Sequence, residues 1–402
     1  MKRAIVVAYD LNPKMGSESA KANLWVSVIS RHFDVDVFVC DRHRKSIPVS
    51  DYPRARFRFI LVNRSVQRWL ERLWASPLAN WIFVSGVKKE LQREDLRECA
   101  LIHVLTPAGV HSFNKLYTLG IPVLLGPLGG ALPTHPGFRD VFRDEWRKNA
   151  LRELFYRLVV YLPWWRQYFV NAESVLVGTD SVINILPPEC RGRARIFFDT
   201  CVDTEIFRPA SESRPIGSRV RILFVGSLLA KKGVVLLIEA MKLCRERGLD
   251  GFEVAIVGGG PLRGRLEELI SEYDLGDRVI LKGHVPRREI ANEYQHSDIF
   301  CLPTLREPGG GAILEAMACG LPVITSDYGG PRYSVTDDCG IKIRMVDANQ
   351  YVRDLSLALE RLVHDEALRH SMGDHALQRA LQEFSTEAVE VKIQGIYREF
   401  IH

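Results

Sequence analysis

Short apolar runs separated by polar stretches recur along the chain and predict strands that alternate with helices. The first runs are rich in β-branched residues, and they predict strands at residues 3–9, 35–40, 57–62, 99–105, 120–130, 174–178 and 195–198. The alternation resumes at Arg219 and continues to an amphipathic stretch at the end of the chain. Strands that alternate with helices form parallel sheets, so the pattern predicts an α/β protein.

A polar, proline-containing segment, FRPASESRPIGSR, separates the two series of elements and has the composition of a linker. A chain of 402 residues favours two or three domains, and we expect two. The predicted boundaries are an N-terminal domain at 1–205, a linker at 206–218, a C-terminal domain at 219–384 and a final helix at 385–402.

The stretch REPGGGAILEAMACGLPVITSDYGGP, residues 306–331, combines a glycine run with two carboxylates. Glycines without Cβ atoms let backbone amides approach a ligand, and here they are Gly309, Gly310 and Gly311. A helix is predicted to begin near Ala312 and to end at Gly320. Glu307 would then lie at the mouth of the loop and Glu315 about one turn into the helix, where both can accept hydrogen bonds from sugar or ribose hydroxyls.

Three further strand-to-helix loops have the composition of phosphate or nucleotide sites. Gly16 can present its amide to an anion at a helix N-terminus, although an ordinary turn glycine is the alternative interpretation. Lys232, just before Gly233, can place an ammonium against a diphosphate, and a surface lysine is the alternative. The glycines at 258–260 do not match G-x-G-x-x-G, because residue 263 is arginine, but the loop still suits a nucleotide.

The sequence predicts a protein that stays inside the cell. No apolar segment approaches the roughly 20 residues of a transmembrane helix, and the N-terminus lacks the cleavage site of a signal peptide.

The eight cysteines include no C-x-x-C pair and lie mostly in apolar runs, so we expect reduced, buried thiols and no zinc site. Asp34 and Asp36 form an Asp-x-Asp, but FDVDVFV alternates as a strand does, and we expect Asp36 on its outward face rather than on a metal.

The first half of the chain is basic and rich in tryptophan. Residues 1–210 contain 30 Lys and Arg against 21 Asp and Glu, whereas the remainder contains 24 against 28. All seven tryptophans precede residue 166, and an amphipathic pattern with arginines around it runs through Phe142, Trp146, Ala150, Leu154, Leu158 and Leu162. This surface predicts peripheral attachment to an anionic membrane, with a helix packed on its own domain as the alternative. Nucleic acid is not expected, because no recognition module accompanies the charge.

Glu307 and Glu315 in E-x7-E spacing, followed by AMACGLPVI and DYGGP, resemble the C-terminal signature of retaining glycosyltransferases of family 4. The resemblance covers most of the chain and is strongest at residues 222–331. It implies the GT-B fold, in which two doubly wound, Rossmann-like domains face a central cleft and the final helix returns to the first domain. It also implies transfer of a hexose from a nucleotide diphosphate sugar of the UDP or GDP type.

The same resemblance assigns roles to residues of this chain. It implies that Glu315 holds the ribose hydroxyls and Glu307 the sugar hydroxyls, while Lys232 and Gly16 stabilise the diphosphate. Ser227 stands where the family has an arginine, so Lys231 or Arg306 is expected to assist Lys232. The other implied donor contacts are Gly258, Gly260, Val285, Gly309, Gly310 and Gly311. No metal and no cofactor other than the donor is expected.

One position departs from the family pattern. Many members have a sugar-facing histidine two residues beyond the first histidine of the fourth strand, and Leu105 stands there instead. His103, His111 and His135 are the possible substitutes, although a single histidine is more often structural.

The resulting functional prediction is a hexosyltransferase of polysaccharide or lipopolysaccharide biosynthesis, with a saccharide or lipid-linked acceptor. It is expected in the cytoplasm, peripherally on the inner face of the plasma membrane. A nucleotide-sugar epimerase of the same fold and a noncatalytic carbohydrate- or membrane-binding protein are the alternatives.

Overall fold

A computed structural model describes residues 2–12, 17–63, 76–130, 132–142, 154, 158–159, 161–211 and 218–401. The chain forms two compact units. The first comprises Met1–Ala131, Ala150–Asp199 and Glu390–His402, and the second comprises Leu132–Asn149 and Thr200–Val389. Each unit is built on one parallel sheet, as the alternating pattern predicts.

The described residues of the first unit form a parallel sheet of seven strands. They are β1 (Arg3–Ala8), β2 (Val35–Cys40), β3 (Ala55–Ile60), β4 (Cys99–Thr106), β5 (Val123–Leu128), β6 (Ser174–Val177) and β7 (Ala194–Ile196). Their order across the sheet is β3-β2-β1-β4-β5-β6-β7. Every residue of β4 is buried, including the polar His103 and Thr106, because helices cover both faces of a parallel sheet.

In chain order, the first unit contains the helices α1 (Ser17–His32), α2 (Ser76–Leu91), α3 (Pro163–Val170), α4 (Asp180–Ile185) and α5 (Pro188–Arg191). Their largest buried side chains include Trp25, Phe83 and Trp165. Most of the amphipathic pattern predicted at 142–162 lies outside the described residues. Phe142 is buried, whereas Leu154 and Leu158 are 53% and 59% exposed, so these two leucines do not contribute to the core of the unit.

The second unit contains six parallel strands among its described residues. They are β8 (Val220–Val225), β9 (Phe252–Val257), β10 (Val279–Gly283), β11 (Ile299–Leu302), β12 (Val323–Ser326) and β13 (Gly340–Ile343). Their order is β10-β9-β8-β11-β12-β13, so the direction of strand addition reverses between β8 and β11. An open α/β sheet binds ligands where the strand order reverses, outside the carboxyl ends of the strands.

Helices α6 (Val234–Glu246), α7 (Arg263–Glu272), α8 (Arg287–Gln295), α9 (Gly311–Ala318), α10 (Pro331–Ser334), α11 (Ala348–His364) and α12 (Glu366–Arg379) surround the second sheet. A last helix, α13, spans Thr386–Arg398. Glu390–His402 belongs to the first unit, where the Tyr397 hydroxyl lies 2.8 Å from Nδ1 of His103.

Two chemical expectations can be compared with the fold. The eight cysteines are free thiols, and all except Cys201 are buried. Within the described ranges, no helix combines the length and the apolarity that are needed to cross a bilayer.

Candidate functional site

The strand reversal of the second sheet brings together the loops that follow β8 and β11. The amide of Leu305 donates to the Lys231 carbonyl at 2.8 Å, and the Thr304 hydroxyl donates to the same oxygen at 3.0 Å. A Cβ on Gly233 would lie only 1.9 Å from the Pro303 carbonyl oxygen, so glycine is what allows the two backbones to touch. The contact holds Lys232 beside the end of β11.

The glycine loop after β9 packs on the loop after β8. Gly258 has a φ of +140°, and a Cβ there would lie 1.9 Å from the Gly226 carbonyl oxygen. A Cβ on Gly260 would lie 2.6 Å from the Leu228 carbonyl oxygen. The Gly258 amide also donates to the Gly283 carbonyl at 2.8 Å, which brings in the end of β10. Glycines therefore bring three loop backbones together at the carboxyl edge of the sheet.

Lys232 and Glu307 form an ion pair at the strand reversal, and their side chains are 19% and 13% exposed. The other Glu307 oxygen, Oε1, accepts hydrogen bonds from the amides of Gly310 at 3.0 Å and Gly309 at 3.3 Å. Burial alone would raise the pKa of the Glu307 carboxyl, but the Lys232 ammonium and the two amides outweigh it and hold that pKa below its ordinary value. The site thus contains an oriented carboxylate at neutral pH.

This arrangement modifies the expectation for the glycine run. Two of its three amides already donate to Glu307, so in this structure they orient the carboxylate rather than face an open space. Gly310 has a φ of +68°, a conformation that a residue with a side chain rarely adopts, and it directly precedes α9. Helix α9 begins and ends close to the predicted residues, and its apolar side chains are buried: Ile313, Leu314, Met317 and Ala318.

Glu315 projects from α9 towards helix α8. Its Oε2 accepts a hydrogen bond from the hydroxyl of Tyr294 at 2.9 Å, and this hydroxyl is also 3.2 Å from the Ala312 carbonyl oxygen. The tyrosine ring is fully buried. Tyr294 was not identified from the sequence, because it lies 21 residues away on a helix that has no glycine loop before it.

The DYGGP segment covers the outer side of the Glu307 loop. The Gly330 amide donates to the Glu307 carbonyl at 2.8 Å. A Cβ on Gly329 would lie 2.5 Å from that same oxygen, and one on Gly330 would lie 2.5 Å from the Pro308 carbonyl oxygen. The two glycines of the sequence signature therefore fix the backbone that carries Glu307.

The remaining predicted donor residues take different positions. Ser227 is exposed in the loop after β8, and Val285 is half-buried two residues beyond β10. The Arg306 guanidinium donates to the Thr134 hydroxyl at 3.4 Å. Gly16, the predicted phosphate contact of the first unit, lies outside the described residues.

The three candidate histidines are not equivalent. His103 is fully buried, with Nε2 2.7 Å from the Gly126 carbonyl oxygen, and burial lowers its pKa to about 4. Burial also lowers the pKa of His111, which packs beside Gly109. His135 belongs to the second unit, where its ring packs 6.4 Å from that of Tyr328, a residue of the DYGGP segment. His135 is thus the candidate that lies beside the Glu307 loop.

Two further residues differ from the sequence-based picture. Asp36 was expected on an outward strand face, but it is 2% exposed and accepts hydrogen bonds from Arg3 and Arg56. That expectation is wrong, because β3 adds to the sheet beside β2 and supplies an arginine that compensates the buried charge.

The Thr200 hydroxyl, which sequence analysis missed, lies 3.0 Å from where a Cβ on Gly309 would be.

The described residues contain no group of three or more His, Cys, Asp or Glu side chains that could hold a metal ion. The site in the second unit therefore consists of one ion pair, one further carboxylate and the backbones of glycine loops. Such an arrangement can bind hydroxyls through carboxylates and a phosphate through an ammonium.

Comparison with known proteins shows which family the second unit is similar to. Residues 210–379 match the model of the family described as Glycosyl transferases group 1. This segment, the group 1 region, is therefore similar to the group 1 glycosyltransferases. The match contains the loops after β8, β9 and β11, with Lys232, Glu307 and Glu315 among them.

Curated relatives give the same family. A segment of 199 residues is 32% identical to an alpha-D-kanosaminyltransferase of Streptomyces kanamyceticus, over 49% of this chain and 50% of the relative. A segment of 210 residues is 32% identical to a D-inositol 3-phosphate glycosyltransferase of Kineococcus radiotolerans, over 48% of each chain. The matched segments thus span about half the length of these two relatives.

Solved structures show the fold of the whole chain. Sucrose-phosphate synthase from Thermosynechococcus elongatus superposes with a TM-score of 0.64 at 19% identity, over 99% of both chains. The Anabaena protein HepE, solved in complex with UDP, gives a TM-score of 0.63 at 14% identity over 99% of this chain and 100% of that one. The predicted GT-B fold is therefore confirmed for the group 1 region and for the unit that precedes it.

Proposed function

We propose that this protein is a retaining glycosyltransferase of family 4 that transfers a hexose from a nucleotide diphosphate sugar to a saccharide or lipid-linked saccharide in surface glycan biosynthesis. The observation that carries the proposal is the Lys232–Glu307 ion pair, held by glycine loops at the strand reversal of the group 1 domain. The pair supplies a positive charge for a diphosphate and a carboxylate for sugar hydroxyls at one place.

Each group in the site has a distinct role in this proposal. The Lys232 ammonium attracts the diphosphate and stabilises the charge that develops on it as the glycosidic bond breaks. Glu307, already oriented by two amides, accepts hydrogen bonds from the sugar. Glu315 accepts from the ribose hydroxyls of a UDP- or GDP-type donor, with its orientation set by the buried Tyr294 hydroxyl.

The mechanism we propose needs no enzyme nucleophile. The leaving phosphate oxygen takes the proton of the acceptor hydroxyl as that hydroxyl attacks from the same face, so the anomeric configuration is retained. Glu307 is engaged by Lys232 and by two amides, which suits a carboxylate that binds hydroxyls better than one that attacks a carbon atom. We propose that the reaction also proceeds without a metal ion, because Lys232 already provides the positive charge.

Two alternatives differ from a transferase in what happens to the donor. A nucleotide-sugar epimerase of this fold would consume the donor without any acceptor, and a noncatalytic carbohydrate- or membrane-binding protein would consume none. The group 1 family match favours the transferase over both.

The decisive experiment incubates the protein with UDP- and GDP-linked hexoses, with and without a membrane extract, and measures released nucleotide by chromatography. We expect release that depends on the extract, that survives a strong chelator, and that gives a product with the anomeric proton coupling of the donor. Consumption of the donor that needs no extract would favour the epimerase. An inverted product would contradict the family assignment, and activity restored only by magnesium or manganese would contradict the metal-free mechanism.

We also propose that the first unit attaches to an anionic membrane, which would bring the enzyme to a lipid-linked acceptor. Trp81 and two lysines, Lys88 and Lys115, line one surface groove, and Trp81 is 41% exposed. Trp164 is 37% exposed beside Phe113, with ring centroids 4.0 Å apart. Exposed aromatic rings among basic residues suit the interface of an anionic bilayer.

Cosedimentation with phosphatidylserine-containing vesicles tests this attachment at low and at high salt. We expect association at low salt that weakens at high salt, and weaker association of a Trp81→Ala, Trp164→Ala double variant. No association at low salt would contradict the proposal.

A further inference from the structure

The first sheet also reverses its strand order, between β1 and β4, and charged side chains gather there. Asp10 follows β1, Arg42 and His43 follow β2, and Thr106 ends β4. Because β2, β1 and β4 are adjacent parallel strands, these residues lie at one carboxyl edge. The position is the one at which an open α/β sheet binds a ligand.

Backbone contacts fix Asp10 at this edge. Its amide donates to the Thr106 hydroxyl oxygen at 3.1 Å, and the preceding Tyr9 amide donates to the Thr106 carbonyl at 3.2 Å. Thr106 itself is 2% exposed. The end of β1 is therefore tied to the end of β4, and the Asp10 side chain starts from a fixed backbone.

Two side chains then hold one oxygen of the Asp10 carboxylate. Arg42 forms an ion pair with Oδ1, and the Nε2 atom of His43 lies 3.0 Å from the same oxygen and accepts a hydrogen bond from Nε of Arg42 at 2.9 Å. The His43 side chain is only 3% exposed, whereas those of Asp10 and Arg42 are 30% and 25% exposed. Among the described residues, no hydrogen-bond donor reaches the other oxygen, Oδ2. The edge thus presents an oriented carboxylate that solvent can reach.

The chemistry of this cluster selects a neutral ligand with hydroxyl groups. The formal charges of Asp10 and Arg42 cancel, so the pair has no net charge with which to attract an anion. Burial would raise the pKa of Asp10, but His43 and Arg42 outweigh it and lower that pKa, so the group is ionised at neutral pH. An ionised carboxylate only accepts hydrogen bonds, and a ligand must therefore supply the donor.

We propose that Asp10 positions the acceptor, with Oδ2 accepting a hydrogen bond from a hydroxyl of an uncharged saccharide while Arg42 and His43 hold the carboxylate in place. This inference rests on the proposed transferase function, and it assigns an acceptor contact to the unit outside the group 1 domain. Asp10 is a positioning residue here, because the proton of the attacking hydroxyl goes to the leaving phosphate.

The test compares Asp10→Asn with Asp41→Asn. Asp41 is a matched control, because it is 29% exposed and pairs with Arg44 on the short turn that also contains Arg42 and His43. We expect Asp10→Asn to raise the KM for acceptor about tenfold or more. Its donor KM should match wild type, and Asp41→Asn should match wild type in every respect. An unchanged acceptor KM in Asp10→Asn would overturn the proposal.

A binding measurement keeps the inference separate from catalysis. Saturation-transfer NMR with the methyl glycosides of glucose, galactose and mannose should show contact with the wild type and with Asp41→Asn, and a weaker signal with Asp10→Asn. Contact that is equally strong in Asp10→Asn, or competition by millimolar inorganic phosphate, would contradict a neutral hydroxyl site at Asp10. If no nucleotide sugar is consumed by wild type, the transferase proposal fails, while this measurement still tests Asp10.

Discussion

The two sheets reverse their strand order at equivalent places, but the residues at the two reversals differ in kind. In the second unit, Gly233 and Gly258 let loop backbones touch, and they leave a Lys–Glu pair at the centre. In the first unit, the described residues at the reversal are tied by the side chains of Thr106 and Arg42 around Asp10. The comparison teaches that topology decides where a ligand site lies, whereas the loop residues decide which ligand it suits.

The largest expected effect tests whether backbone contact is what distinguishes the second unit. Gly258→Ala would place a methyl group 1.9 Å from the Gly226 oxygen at a φ of +140°, which we expect to cost about 2 kcal/mol or more and to lower Tm by roughly 4–8 °C. The affinity for UDP and GDP, measured by calorimetry, should fall as well. Gly259→Ala is the control, since a Cβ there would meet no atom within 4 Å. Equal Tm values and equal nucleotide affinities of the two variants would show that backbone contact is not what distinguishes the second unit.

The second prediction concerns the charge at the reversal. Lys232→Ala should weaken donor binding or turnover by about 1.5 to 3 kcal/mol, because a charge-assisted hydrogen bond is lost and Glu307 keeps only its two amide donors. Lys231→Ala removes the same charge one residue earlier, and the Lys231 carbonyl would still accept from Leu305. Equal losses in both variants would show that general positive charge, and not the paired lysine, binds the diphosphate.

The third prediction separates the two carboxylates of the second unit. Glu315→Ala should weaken donor affinity by about 1.5 to 3 kcal/mol, and Tyr294→Phe by about 1 kcal/mol, because it removes only the hydroxyl that orients Glu315. Wild type should bind 2′-deoxy-UDP more weakly than UDP, and Glu315→Ala should bind the two alike. A Glu315→Ala variant that still discriminates between them would exclude this residue from the ribose site.

The smallest effect is a pH dependence. Because the pKa of Glu307 is held below its ordinary value of 4.5, ionised Glu307 stabilises the folded state above that pH, and the contribution is lost as the pH falls through the lower folded value. The difference in unfolding free energy between wild type and Glu307→Gln should be constant from pH 8 to about 6 and shrink below about 4.5. The ordinary pKa of an Asp carboxyl is 3.8, so the difference in unfolding free energy between wild type and Asp10→Asn should shrink at a lower pH. A difference that grows on acidification would reverse the assigned sign.

Much of the fold follows from local sequence. Strand β2 lies where the apolar run predicts it, and β3 is shifted by only two residues, because apolar runs between polar segments define buried strands. Helix α9 was predicted from the glycine run before it and from Gly320 at its end, which are also local signals. These features depend on residues that are neighbours in the chain.

The ion pair of Lys232 with Glu307 could not be read from the sequence. The two residues are 75 positions apart, and they meet because β11 adds beside β8 and not beside β10. The compensation of Asp36 by Arg56 has the same origin, since β3 must first add to the sheet. Side-chain partners across strands depend on strand order, which periodicity does not encode.

The contact between His103 and Tyr397 has a consequence for how the protein is made. The partners are 294 residues apart, and the histidine sits in the central strand of the first sheet. A ribosome that adds roughly 5–20 residues per second needs about 15–60 s to supply the tyrosine after the histidine. All the strands of the second unit, from β8 to β13, are synthesised within that interval, before the hydroxyl partner of His103 is added. The first unit therefore receives its last segment only after the strands of the second unit have been made.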